Sequence, residues 1–169
     1  MSKRELKILK SAEALLRIRK TADYQFGREV GGMLFPDDVK ICFSKQTNRI
    51  RHVFLDGVLL ATLRPNDGMF SLTLGGAKRV AANVKPLRQW VRIKKDAAKF
   101  VGMGKNVFAK HVIDVDDEIR PKEEVIVLDE KGKVLAVGRA VLSGREMRAF
   151  KRGVAVRVRK GVIQEAEKV

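Results

Sequence analysis

Apolar residues recur at helical spacing near the start of the chain, where Leu6, Leu9, Ala12, Leu15 and Leu16 follow the capping-box pair Ser2 and Glu5. This predicts a helix from about residue 3 to about residue 25, ended by Gly27. Its other face carries Lys3, Lys7, Lys10, Arg17 and Lys20, and reads as a solvated face in preference to a nucleic-acid site. The next segment, GREVGGMLFPDD, mixes Gly31, Gly32 and Pro36 with Met33, Leu34 and Phe35, the pattern of a packed connecting loop. Strand patterns follow at Val39 to Phe43 and Arg49 to Leu55. Asp56-Gly57, a type I′ hairpin dipeptide, leads to a return strand from Val58 to Leu63. After the turn Pro65-Asn66-Asp67-Gly68, Met69 to Leu74 completes an antiparallel meander, with the helix on one of its faces. Gly75 to Ala82 then reads as a short helix whose glycine start lets a neighbouring segment come close.

Asn83 to Pro86 is the predicted linker, dividing the chain into residues 1–84 and 85–169. Beyond it, Trp90 to Ile93 reads as a strand and Asp96 to Phe100 as a short helix, followed by a glycine loop and a strand containing Val107, Phe108 and Val112. Asp114, Asp116, Asp117 and Glu118 form an acidic knot without calcium-loop spacing, and read as a solvated turn. Glu124 to Leu128 and Lys133 to Gly138 flank the hairpin turn Asp129-Glu130-Lys131-Gly132, and Val141 to Leu142 continues the second of these strands. Ser143 and Glu146 cap a helix through Phe150 that stops at Gly153, and Val154 to Val158 is the closing strand. Five short strands in so few residues suggest a small closed or half-closed barrel. The fold class is therefore α+β: an N-terminal helix packed on a small antiparallel sheet, followed by a pseudo-β-barrel.

Composition narrows the function. Apolar residues make up 45% of the sequence and charged residues 33%, a soluble globular balance unusually rich in charge. No apolar run is long enough to cross a bilayer, and the charged N-terminus is unlike a signal peptide, so the cytoplasm is the expected location. Cys42 is the only cysteine, which excludes an internal disulfide and a cysteine-based zinc cage, and in VKICFSK it reads as a small core residue. The 36 Lys and Arg against 20 Asp and Glu leave a net charge of +16, spread over both halves of the sequence. A basic folded surface of this kind points to a polyanion. Anionic membrane fits less well, because the long helix lacks a bulky aromatic face.

The stretch KFVGMGKNVFAKHV, Lys99 to Val112, concentrates the candidate chemistry. Gly102 and Gly104 tolerate positive φ and the close approach of another backbone, of which a phosphate chain is one. Lys105, Lys110 and His111 supply donors nearby. A plainer reading has the glycines end a helix and turn the chain, with the lysines solvated. Catalysis would need a nucleophile or an acid–base pair in one pocket. His52, His111, Cys42 and the aspartates are available, but the sequence contains no nucleophile elbow, zinc spacing or phosphate-binding loop. Neither an enzyme nor a cofactor or metal is expected.

Residues 88–161 resemble the PUA domain, a pseudo-barrel RNA-binding module, through GKNVFAKHV, EVIVLDEKGKVLAVGRAVLSGREM and FKRGVAVRVR. The first half, through IRHVFLDGVLLATLRPNDGMFSLTLGGAKRV, is similar to the domain that precedes PUA in archaeosine tRNA-guanine transglycosylase. That enzyme has a large catalytic barrel with a cysteine-rich zinc site, for which this sequence has neither room nor cysteines. The resemblance implies a non-catalytic binder of structured RNA, most of all tRNA at its acceptor stem, in tRNA modification. On the matching positions it places Lys99, Gly102, Met103, Gly104, Lys105, Asn106, Phe108, Lys110, His111, Lys151, Arg152 and Arg157 at the RNA surface, although a barrel strand can equally turn Phe108 to the core. A-form RNA is met mainly through phosphates and 2′-hydroxyls, which suits lysine and arginine. With eight Phe, one Trp and one Tyr, several of them needed for cores, a long base-stacking platform is disfavoured. The alternative is a translation initiation, re-initiation or recycling factor, since small factors of that kind also join an N-terminal domain to PUA. Partners beyond RNA would then be a separate modifying enzyme or the small ribosomal subunit.

Overall fold

The computed structural model describes residues 3–168, with side chains from residue 11 onward. Ser2 of the capping box, and the side chains of Lys3, Leu6, Lys7, Leu9 and Lys10, lie outside the described residues. The chain divides into two compact units, Met1–Lys85 and Pro86–Val169.

In the first unit, helix α1 (Lys3–Phe26) buries Ala14, Ile18, Ala22 and Phe26, one stripe at every fourth position. This is not the face that the leucines marked: Ala12 is exposed and Leu16 is 59% exposed. Close packing decides the matter. A Cβ on Gly31 would lie 2.2 Å from the carbonyl oxygen of Arg19, so α1 meets its neighbour at backbone distance, where small side chains fit best. That neighbour is helix α2 (Val30–Leu34), in place of the expected loop. Gly31 N–H donates to the Asp23 carboxylate at 2.7 Å, and these tertiary contacts outweigh the poor helix propensity of two glycines.

The sheet of this unit is the expected meander, β1 (Lys40–Phe43), β2 (Ile50–Leu55), β3 (Val58–Leu63) and β4 (Phe70–Leu72), in sequential antiparallel order. Asp56 and Gly57 both have positive φ, 48° and 79°, as a type I′ turn requires. The edge of β4 is covered by one side chain. The Gln25 amide accepts from Phe70 N–H at 2.7 Å and donates to Phe70 C=O at 2.8 Å, in the manner of a neighbouring strand. Thr73 caps helix α3 (Leu74–Asn83), and a Cβ on Gly76 would lie 2.1 Å from Leu60 O, the close approach predicted for this glycine start. Cys42 is half-buried on edge strand β1, not in the core.

The second unit contains β5 (Trp90–Ile93), α4 (Lys95–Gly102), β6 (Val107–Phe108), a 3-10 turn (Ala109–His111), β7 (Val112–Val115), β8 (Glu124–Leu128), β9 (Val134–Ala140), α5 (Gly144–Ala149), β10 (Val154–Gly161) and α6 (Val162–Ala166). The single strand expected after the glycine loop is two, because the 3-10 turn breaks it. The sheet order is β6-β10-β9-β8-β5-β7, with β5 and β8 parallel and the other pairs antiparallel. Strands β6 and β7 adjoin in sequence yet end the order on opposite sides. Three residues can link those two edges only if the sheet curls round on itself, so the unit is a nearly closed barrel. Its core gathers Val91, Ile93, Val101, Val107, Val125, Val127 and Val156.

Helix α5 has the full capping box of Ser143 and Glu146. The acidic knot is the expected solvated turn, with Asp117 and Glu118 exposed, and it also clamps this helix: Arg148 reaches Asp114 and Asp117, each at 3.0 Å, and Asp116 accepts Gln89 N–H at 2.7 Å. The Val115 N–H, then the Arg148 guanidinium, hold the Asp114 carboxyl below its ordinary 3.8, with burial opposing. The same carboxylates raise the Arg148 pKa, Asp117 first. A carboxyl depressed by folding stabilises fully above its unfolded pKa and loses that contribution as pH falls through its folded value. The effect is small, since the Asp114 side chain is 43% exposed. In melts taken downward from about pH 5, Asp114→Asn should therefore lose less stability than the parent. Parallel curves would contradict the clamp.

Candidate nucleic-acid interface

Helix α4 buries Ala97 and Val101 and leaves Lys99 and Phe100 in solvent, with Asp96 in its first turn and Lys99 in its last, each favourable to the helix dipole. It ends in a paired cap. Gly104, at φ +92°, donates to Val101 O at 2.9 Å, and Lys105 N–H donates to Phe100 O at 3.0 Å. Both N–H groups are thus directed into the helix end, whose carbonyls carry partial negative charge. Any anion bound here is held by side chains.

The glycines face the chain itself. A Cβ on Gly102 would lie 3.1 Å from Ile163 Cδ1, and one on Gly104 would lie 2.9 Å from Gln164 Oε1. Gly102 is buried and Gly104 half-buried. Asn106 is a tie within the barrel, its Oδ1 accepting Val158 N–H at 3.1 Å. His111 is half-buried, with Nδ1 4.0 Å from an Asp96 oxygen and its carbonyl accepting Lys94 N–H.

Around this frame stands an exposed rim. Lys99, Lys105 and Lys110 are exposed, and between them Phe100, Met103 and Phe108 are 60%, 43% and 43% exposed, so Phe108 does not face the core. Lys151 and Arg152 join them, because Ala109 N–H donates to Gly153 O at 2.9 Å and Phe108 pairs with Val154. Both are exposed. The rim therefore alternates cations with apolar surface at the seam where the barrel closes. Met103 and Phe108 are flat or flexible apolar surface suited to an unstacked base, and the cations to its phosphates.

Arg157 belongs to a second patch. It is exposed on β10 opposite Arg139 of β9, and Arg159, two residues on, ion-pairs with the wholly buried Glu124 carboxylate. Arg139 is also the cross-strand partner of Glu124. Glu124, Arg139 and Arg157 thus stand in line across three strands, with Arg159 paired to the carboxylate. Sequence reading missed Arg139 and Arg159, because only strand register brings them to Arg157. Elsewhere, Cys42 and His52 are opposite each other on β1 and β2, but His52 Nδ1 contacts Thr62 Oγ1 at 3.1 Å. Among the described residues no group of three or more His, Cys, Asp or Glu is arranged to hold a metal ion. No described helix is long and apolar enough to cross a membrane.

Two family models match the chain: the patch-forming domain C2 of tRNA-guanine transglycosylase over residues 16–86 and the PUA domain over residues 89–162. The tRNA-guanine(15) transglycosylase of Thermoplasma acidophilum is 44% identical over 148 residues, 87% of this chain and 23% of that one. Its counterpart in Methanobrevibacter smithii is 39% identical over 148 residues, 88% of this chain and 22% of that one. The chain thus spans under a quarter of the length of these relatives. Among solved structures, a hypothetical protein of Pyrococcus horikoshii OT3 superposes with a TM-score of 0.72 at 23% identity, covering 91% of this chain and 95% of that one. A conserved PUA domain protein of Thermoplasma acidophilum has a TM-score of 0.62 at 20% identity, covering 95% and 91%. Both likenesses concern the fold.

Proposed function

We propose that this chain, a C2 domain of the tRNA-guanine transglycosylase type joined to a PUA domain, binds structured RNA, with tRNA and its acceptor stem as the favoured target, and itself performs no chemistry. The observation that carries the reading is the extent of the match: 87% of this chain aligns with a tRNA-guanine(15) transglycosylase. The rim of Lys99, Lys105, Lys110, Lys151 and Arg152 supplies phosphate contacts, with Met103 and Phe108 against a base. The helix cap of Gly102 and Gly104, with Asn106, holds that rim in place. His111 contributes a donor at its edge, and Arg157 contacts the duplex from the neighbouring patch. A separate modifying enzyme would act on the RNA so held.

Titration of labelled tRNA, tRNA lacking its 3′ end, ribosomal RNA and duplex DNA side by side tests this. Intact tRNA should bind tightest and duplex DNA weakest, and removal of the 3′ end should weaken binding. Lys105→Ala and Lys110→Ala should each reduce affinity severalfold and flatten the salt dependence by about one unit of log–log slope. Equal affinity for all four ligands, with no effect of either substitution, would refute the reading.

A further inference from the structure

The first unit contains a cavity of about 600 Å³ that the barrel does not share. Four arginines line it: Arg17 from α1, Arg49 just before β2 and Arg51 within it, and Arg64 just after β3, together with Gln46 and Thr47. Among the described residues Arg17, Arg49 and Arg51 form no ion pair, while Arg64 is held by Asp67 at 2.9 Å. Among the described residues no carboxylate lines the cavity. Arg49 and Arg51 are exposed on either side of buried Ile50, so both side chains leave one face of an extended segment. Residues alternating in that way stand about 7 Å apart, a span that neighbouring phosphates on one strand can bridge.

We infer that this arginine-lined groove of the C2 unit is a second RNA contact, taking the phosphodiester backbone independently of the barrel. Guanidinium groups match phosphate oxygens bidentately, and hydroxyl and amide side chains complete the donor set. Ile50, Leu63 and Pro65 supply an apolar floor beside these donors, so phosphate oxygens and the adjoining sugar both find matching surface. Its four cations come from three separated segments and meet only in the fold, so the sequence showed Arg17 as part of a solvated helix face.

The inference rests on the RNA-binding reading, and its test separates the two. A 4-thiouridine-substituted tRNA transcript is photo-crosslinked to the full chain and the attached peptides are mapped. Expected are peptides from residues 44–51 or 63–68 in addition to peptides from 99–111. In parallel, Arg49→Gln/Arg51→Gln should weaken tRNA binding roughly 10-fold or more near 0.1 M salt and flatten the log–log salt slope by about two, whereas Arg49→Lys/Arg51→Lys should keep the slope. Both pairs are exposed, and each variant must retain the parent melting curve. Barrel peptides without groove peptides, with parent-like binding by the glutamine variant, overturn the groove alone. Groove peptides without barrel peptides support the groove and overturn the barrel reading. No crosslink at all overturns both.

Discussion

Replacing Gly161 with alanine should lower the melting temperature of the barrel unit by roughly 10–20 °C, the conversion of about 2–4 kcal/mol of overpacking in a domain of this size. A Cβ at Gly161 would lie 2.2 Å from Gly102 O, 2.6 Å from Gly102 C and 2.7 Å from Val101 O. These are backbone atoms of the last turn of α4, so relief requires moving the helix end off β10, and with it the cap that positions Met103 to Lys105. Calorimetry checks it. Two comparisons isolate the cause. At Gly132 the added methyl meets open space and only the positive φ is strained, which costs about 1–2 kcal/mol. At Gly104, which shares the positive φ, it meets the flexible Gln164 side chain, which can swing away, so the cost is again that of the backbone. A Gly161→Ala protein that melts with the parent would show that α4 does not press on β10.

Salt should act on binding more strongly than any one substitution. With about four to six phosphates neutralised, the log–log slope is of order −3 to −5, so a tenfold rise in salt weakens tRNA binding by roughly 10³–10⁵. A net charge of +16 makes this regime natural, because each contact releases counterions whatever its place on the surface. The measurement is a titration of labelled tRNA from about 50 to 500 mM salt. An affinity that stays level would mean that apolar and neutral hydrogen-bonding contacts dominate, and would turn attention to Met103 and Phe108.

Hairpins and caps were legible in the sequence because each depends on a few adjacent residues: Asp56-Gly57, Asp129 to Gly132, and Ser143 with Glu146 all stand where local chemistry placed them. The apolar stripe of α1 was not legible, since helix-to-helix distance, a property of Gly31 and the Arg19 carbonyl together, selected alanines over leucines. Helix α2 was hidden for the same reason. In the candidate site, the turn role of Gly104 was legible and its neighbour was not, because Gln164 lies sixty residues on. The acidic knot lacked calcium-loop spacing, but its cation, Arg148, became visible only when α5 was folded against β7.

The barrel's seam bears on the order in which a ribosome can make this protein. Every strand pair of the first unit joins neighbours in sequence, so its sheet can form while the chain is still emerging. In the second unit β8 and β9 can pair as a hairpin in the same way, but the barrel cannot close. Phe108 waits for Val154, and Val107 for Val156, before β6 has any partner. Until synthesis passes β10, the strand that carries the lysine rim is an open edge, and α4 lacks the Gly161 surface against which it ends. The lysine rim is thus among the last features to exist, assembled only when β10 has left the exit tunnel.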